Sequence, residues 1–71
     1  MDLGLFIMPL HPPEKVPADC YEEDLDLLAV ADELGFTEAW IGEHMTARWE
    51  NIVAPDLFIS RGFADAKHIR L

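Results

Sequence analysis

The stretch Trp40-Ile41-Gly42-Glu43-His44-Met45-Thr46 holds the residues of this chain best suited to chemistry. A histidine exchanges protons near neutral pH, since its unperturbed pKa is about 6.5. A carboxylate beside it can orient the ring or favour its charged form. Neighbours on a strand point to opposite faces, so only one of Glu43 and His44 can face a given interior unless the loop has begun. If residues 39–42 form a strand, both lie at its carboxyl end, where the side chains of parallel sheets meet ligands. By spacing alone, an ordinary polar strand end is the simpler reading.

The other candidates are weaker. His11, Glu43, His44 and His68 could be drawn together as metal ligands, but no two histidines share a helical or hairpin spacing, so no metal site is expected. Cys20 is the only cysteine, which excludes an internal disulfide and a CxxC zinc motif, and it reads as an inert thiol. Trp49 reads as a packing anchor for its loop, and Met8 and Met45 as gap-filling residues. The signatures GxGxxG, GxxxxGK[ST], GxSxG and HExxH are absent.

The elements that must position the Glu43-His44 pair follow from the pattern around it. Leu3-Gly4-Leu5-Phe6-Ile7-Met8 is an apolar run without alternation, as in a parallel strand buried on both faces. Pro9, Pro12 and Pro13 end it and open a loop over residues 9–17. A helix is expected over 20–34, with Asp19 as N-cap and Glu22 completing a capping box. Its apolar stripe is Tyr21, Leu25, Leu28 and Ala31, widened by Leu27 and Leu34, and Glu22, Glu23 and Asp24 lie on its solvated face. Gly35 sits where a C′ glycine belongs, with Phe36 as the apolar contact after it.

Strand, helix, strand then forms a right-handed βαβ unit with parallel strands. After an irregular stretch over 47–54, Pro55 suits the first position of a second helix, with Asp56 on its first turn. Leu57, Phe58, Arg61 and Ala64 give that helix an apolar side, Gly62 falls in its interior, and Lys67 and His68 suit its carboxyl end. Ile69-Arg70-Leu71 reads as the start of a third strand. Such a set leaves sheet edges unpaired and apolar faces uncovered. The expected class is α/β, the opening βαβα(β) portion of a TIM (β/α)8 barrel, with residues 1–71 as the N-terminal fragment of a single barrel domain.

Composition narrows the partners. Lys and Arg number 5 against 14 Asp and Glu, a net charge of −9 that repels nucleic acid and anionic membrane surfaces. Hydrophobic residues make up 51%, too many for a disordered tail. No run approaches the roughly 18 apolar residues of a membrane span, and Asp2 stands where a signal peptide carries a basic residue. A cytoplasmic protein is expected.

These residues together resemble a known family. The ordered set 4–13 (Gly-Leu-Phe-Ile-Met-Pro-Leu-His-Pro-Pro), Glu22-Glu23-Asp24-Leu25, Ala31-Asp32-Glu33-Leu34-Gly35-Phe36, Ala39-Trp40-Ile41-Gly42-Glu43-His44, 46–52, 54–59 and Ile69-Arg70-Leu71 is similar to the luciferase-like flavin-dependent monooxygenases. The limonene- and alkanal-monooxygenase-like branch is the nearest in pattern. The resemblance implies a TIM barrel with FMN at the carboxyl ends of the strands, or deazaflavin F420 in a sister branch. Reduced flavin, often supplied by a separate reductase, would serve with O2 to oxygenate a small hydrophobic organic substrate, in a protein that commonly forms a homodimer.

By the same resemblance His44 is the catalytic acid/base, and Met8, Pro9, Glu43 and Met45 are the cofactor-binding positions. The luciferases carry a second histidine where this chain has Met45, so light emission is not implied. The flavin phosphate contacts belong to later strands. An F420-dependent hydride-transfer enzyme, or a non-catalytic chain acting through a partner, are the alternative readings.

Overall fold

The computed structural model describes residues 2–44 and 48–71. Their order is β1 (Gly4–Ile7), α1 (Pro17–Glu33), β2 (Glu38–Ile41) and α2 (Pro55–Gly62). The two strands pair in parallel, with Gly4 opposite Glu38, Leu5 opposite Ala39, Phe6 opposite Trp40 and Ile7 opposite Ile41. The third strand begins as expected: Arg70 makes a parallel bridge to Glu38, and Ala39 N–H donates to the Arg70 carbonyl at 2.7 Å. A βαβα arrangement with parallel pairing follows the expected class.

Helix α1 starts three residues earlier than the charge pattern indicates. Pro17 occupies its first turn and Val16 is the N-cap, with no side-chain cap. Proline is preorganised for that position and lacks the N–H that would go unpaired there, so it outcompetes the Asp19/Glu22 capping box, and Asp19 falls inside the first turn. The carboxyl end is as expected. Gly35 takes φ +88°, its N–H donates to the Asp32 carbonyl at 3.2 Å, and Phe36 N–H reaches the Ala31 carbonyl at 3.0 Å. This is a Schellman closure, which needs the left-handed residue that glycine supplies.

The core gathers Ile7, Leu25, Leu28, Ala31, Ala39, Ile52, Phe58, Ala66 and Ile69 between the sheet and the two helices. Leu28 at its centre is fully enclosed, worth about 1.5–3 kcal/mol of hydrophobic stabilisation. Leu27 and Leu34 do not join the stripe and remain exposed, as does Leu57 on α2. Helix α2 ends at Gly62, so Lys67 and His68 lie in the turn beyond it and not at its end. A Cβ on Gly62 would stand 3.2 Å from Leu28 Cδ1 and from Leu71 Cδ1, which explains a glycine where α2 meets the core.

Within these residues β1 is covered on one face. Ile7 is 3% exposed but Phe6 is 62% exposed, and Trp40 opposite it is 64% exposed. Both helices pack on the face of Leu5, Ile7, Ala39 and Ile41, so the face of Phe6 and Trp40 has no covering layer within these residues. In a barrel, that is the face turned to the interior.

Asp32 fastens the last segment to α1. Its Oδ2 accepts Lys67 N–H at 3.0 Å, and its Oδ1 accepts His68 N–H at 2.8 Å and Ile69 N–H at 2.7 Å. The Lys67 N–H, opposed by partial desolvation and aided by the His68 and Ile69 N–H groups and the nearby His68 ring, holds this carboxyl below its ordinary 3.8. Its backbone-clamping role comes from the tertiary fold.

Candidate functional site

The carboxyl ends of β1 and β2 lie side by side, and backbone hydrogen bonds continue past them at Gly42 and His44. Gly42 N–H donates to the Ile7 carbonyl at 3.0 Å, just past the last pair of the ladder. Beyond it, His44 N–H donates to the Ile52 carbonyl at 3.1 Å, which brings the segment after the loop back onto the strand end. The first loop joins the same assembly. Leu10 and Glu50 form an antiparallel bridge, and His11 N–H donates to the Trp49 carbonyl at 2.6 Å. Tyr21 on α1 adds a hydrogen bond from its hydroxyl to the Asn51 carbonyl at 2.7 Å.

Residues 49–52 are thereby held from three directions: by the first loop, by α1 and by the end of β2. Trp49 contributes through its backbone; its indole is half exposed and is not the packing anchor expected of it. Ile52 is the residue of this segment that enters the core.

His44 and Glu43 separate as strand-end neighbours should. Glu43 is exposed, whereas His44 turns its Nε2 to within 3.1 Å of Glu50 Oε1. The His44 side chain is 41% exposed and that of Glu50 only 12%, so the ring is open to a ligand on one side and faces an enclosed carboxylate on the other. Glu50 Oε1 accepts no aligned hydrogen bond among the described residues, which makes the contact with His44 an ion-pair approach and not yet a directed bond. Catalytic hydrogen bonds are often loose before substrate arrives.

Of the other residues singled out, Met8 is exposed at the end of β1, as is Leu10, while Pro9 is fully buried beneath them. Met45 lies outside the described residues. His11 is buried against Asp24, Nε2 lying 3.2 Å and 3.1 Å from its two oxygens. Asp24 is therefore not part of the solvated acidic face; it is the buried partner of the first loop. Among the described residues no three His, Cys, Asp or Glu side chains gather as a metal site. Neither Glu50 nor the inward turn of Asp24 is visible as a functional signal in the sequence, where both are unmarked acids.

A cavity of about 500 Å³ lies away from this site. It runs between β2, the first turn of α2 and residues 70–71, with Trp40, Pro55 and Leu71 in its walls. It follows the open edge of the sheet, where a βα unit of a barrel packs against the one before it, and none of the polar groups around His44 reaches it. The chemistry-bearing groups lie at the strand ends instead.

A βαβα sheet carrying these residues at its carboxyl edge is the opening portion of a TIM-barrel fold of luciferase-like type. No family model matches the chain. It is 38% identical over 71 residues to 4-hydroxyprotoasukamycin monooxygenase of Streptomyces nodosus subsp. asukaensis, covering 100% of this chain and 19% of that protein. It is 37% identical over 70 residues to 2,5-diketocamphane 1,2-monooxygenase 2 of Pseudomonas putida, covering 99% and 19%. Limonene 1,2-monooxygenase of Rhodococcus erythropolis is 31% identical over 71 residues, covering 100% and 18%.

Among solved structures, the oxygenating constituent of 3,6-diketocamphane monooxygenase from Pseudomonas putida, a type II Baeyer-Villiger monooxygenase in complex with FMN, superposes with a TM-score of 0.89 at 29% identity. The match covers 97% of this chain and 19% of that one. Apo-MsnO8 also gives 0.89, at 26% identity, covering 97% and 21%. The relatives named are monooxygenases and one of the solved structures holds FMN, in line with the sequence resemblance. The chain spans about a fifth of the length of the curated relatives it matches.

Proposed function

We propose that residues 1–71 are the N-terminal part of a single TIM-barrel domain in an FMN-dependent monooxygenase that oxygenates a small hydrophobic organic molecule with O2. The observation that carries this reading is the superposition, along 97% of the chain, on an FMN-bound monooxygenase. The local surface suits such a cofactor: Met8 and Leu10 leave apolar side chains exposed at the strand ends, next to a half-open histidine. A flat aromatic ring system is held by apolar contact plus a few placed polar groups, and these residues offer that combination. Met8, Pro9, Glu43 and Met45 are assigned to the flavin side, Pro9 by supporting the loop from beneath. The phosphate end of the flavin is assigned to later strands.

Reduced FMN, supplied by a separate reductase, provides the oxygen-transfer chemistry when bound. This chain's contribution is narrower. His44 holds or delivers a proton from the open side of its ring, and the apolar strand ends exclude water from the reacting centre. The full protein is cytoplasmic and homodimeric in this reading, and among the described residues no helix is long and apolar enough to cross a membrane.

The test uses the full-length protein. Reduced FMN from an added reductase, O2 and a panel of cyclic ketones, terpenes and alkanals should give a product one oxygen atom heavier, with FMN retained in preference to F420. Retention of F420 with substrate reduction and no oxygen incorporation would replace this reading with hydride transfer.

A further inference from the structure

We propose that Glu50, and not the adjacent Glu43, is the residue that positions His44; the proposal deepens the reading of His44 as the proton-handling group and rests on it. Adjacency in the chain favours Glu43, but Glu43 is exposed and His44 faces the other way. Glu50 Oε1 lies 3.1 Å from His44 Nε2, with the Glu50 side chain 12% exposed. That oxygen is enclosed and accepts no aligned hydrogen bond among the described residues. Burial of a carboxylate oxygen without a donor is costly, so an imidazole N–H turned toward it supplies the donor it lacks.

The backbone on both sides of the contact is fixed. Glu50 is bridged to Leu10, and its neighbour Trp49 accepts from His11 N–H at 2.6 Å. His44 is tied through its own N–H to Ile52, two residues beyond Glu50 in the same held segment. The ring and the carboxylate are therefore set against each other by three separate backbone attachments, which is how a supporting group fixes the orientation of a proton-transfer residue. With Nε2 engaged by Glu50, the open side of the ring is free for a ligand at the strand ends. Glu50 fixes the ring and its protonation geometry, while His44 alone meets the reacting centre.

The experiment compares Glu50→Gln and Glu43→Gln in the full-length protein, with the His44 imidazole nitrogens read by NMR at one fixed pH. Steady-state kcat and FMN affinity are read alongside. Glu50→Gln is expected to move the His44 ring nitrogen resonances and to lower kcat roughly tenfold, a part of the 10²–10⁴ that acid–base groups supply. FMN affinity should stay within about twofold, and Glu43→Gln should leave the His44 ring resonances where they are. Unmoved His44 resonances in Glu50→Gln, or an equal response to Glu43→Gln, would overturn the assignment. The resonances do not depend on turnover, so absence of oxygenation in the parent protein would remove the functional reading while the ring measurement still decides the role of Glu50.

Discussion

His11 and Asp24 are buried together, the ring Nε2 lying 3.2 Å and 3.1 Å from the two carboxylate oxygens across a sequence separation of 13. An ionised carboxylate only accepts, so Nε2 carries the proton between them. The pair pins the loop after β1 onto α1, and the same loop reaches on through His11 N–H and Leu10 to the segment that holds Glu50. A helix acid thus helps to set the geometry of the strand-end site without touching it.

Removing one partner of this pair leaves the other buried and unmatched. Asp24→Leu or His11→Leu alone should lower stability by about 1–3 kcal/mol. The double replacement should cost less than the sum of the two, because no orphaned polar group remains. Thermal unfolding of the four proteins in a double-mutant cycle measures the coupling; strict additivity would show that the two residues do not interact.

His44→Ala in the full-length protein should lower kcat by about 10²–10⁴, with FMN affinity changed only a few fold. Steady-state rates under saturating reduced flavin, paired with a flavin titration, separate the two effects. Unchanged turnover would remove His44 from the reaction.

Asp32 gives the fold a defined acid sensitivity. Its carboxyl is held below 3.8 in the folded protein, chiefly by the Lys67 N–H, so it binds protons more weakly folded than unfolded. Its contribution is full above about pH 4 and is lost as the pH falls through the lower folded value. Asp32→Asn should therefore melt at a lower temperature than the parent at pH 7, and the gap should narrow as the pH falls below the ordinary carboxyl value of 3.8. Melting curves across that range test the sign, and a gap that widens in acid would contradict it.

Gly62→Ala sets two effects against each other. Alanine is the better helix former by about 1 kcal/mol, but its methyl would meet Leu28 and Leu71 at 3.2 Å. Leu28 is fully enclosed and has little room to give, so overpacking of about 1–3 kcal/mol should prevail and the variant should unfold at lower denaturant. A rise in the denaturant midpoint would mean that the leucines repack freely.

Local chemistry made much of this chain legible from its sequence. The apolar runs marked both strands, Gly35 and Phe36 marked a helix end that the backbone then realised, Pro55 marked the start of α2, and the polar pair after Ile41 marked the carboxyl edge. These depend on a residue's own conformational preferences or on its near neighbours, and such signals survive in a linear string. Even there, Pro17 displaced the capping box at Asp19, because two local preferences competed and the stronger preorganisation prevailed.

What tertiary structure alone decided was pairing between distant polar groups. Glu22, Glu23 and Asp24 are equivalent acids in sequence, yet only Asp24 turns inward, because the first loop delivers His11 to it. Asp32 became a clamp because three backbone N–H groups arrived from residues 67–69, and Glu50 rather than Glu43 met His44 because residues 49–52 are held against the strand ends. Hydrophobic periodicity reports which face of an element is buried; it carries no information on which acid or ring the folded chain will bring to within hydrogen-bonding distance.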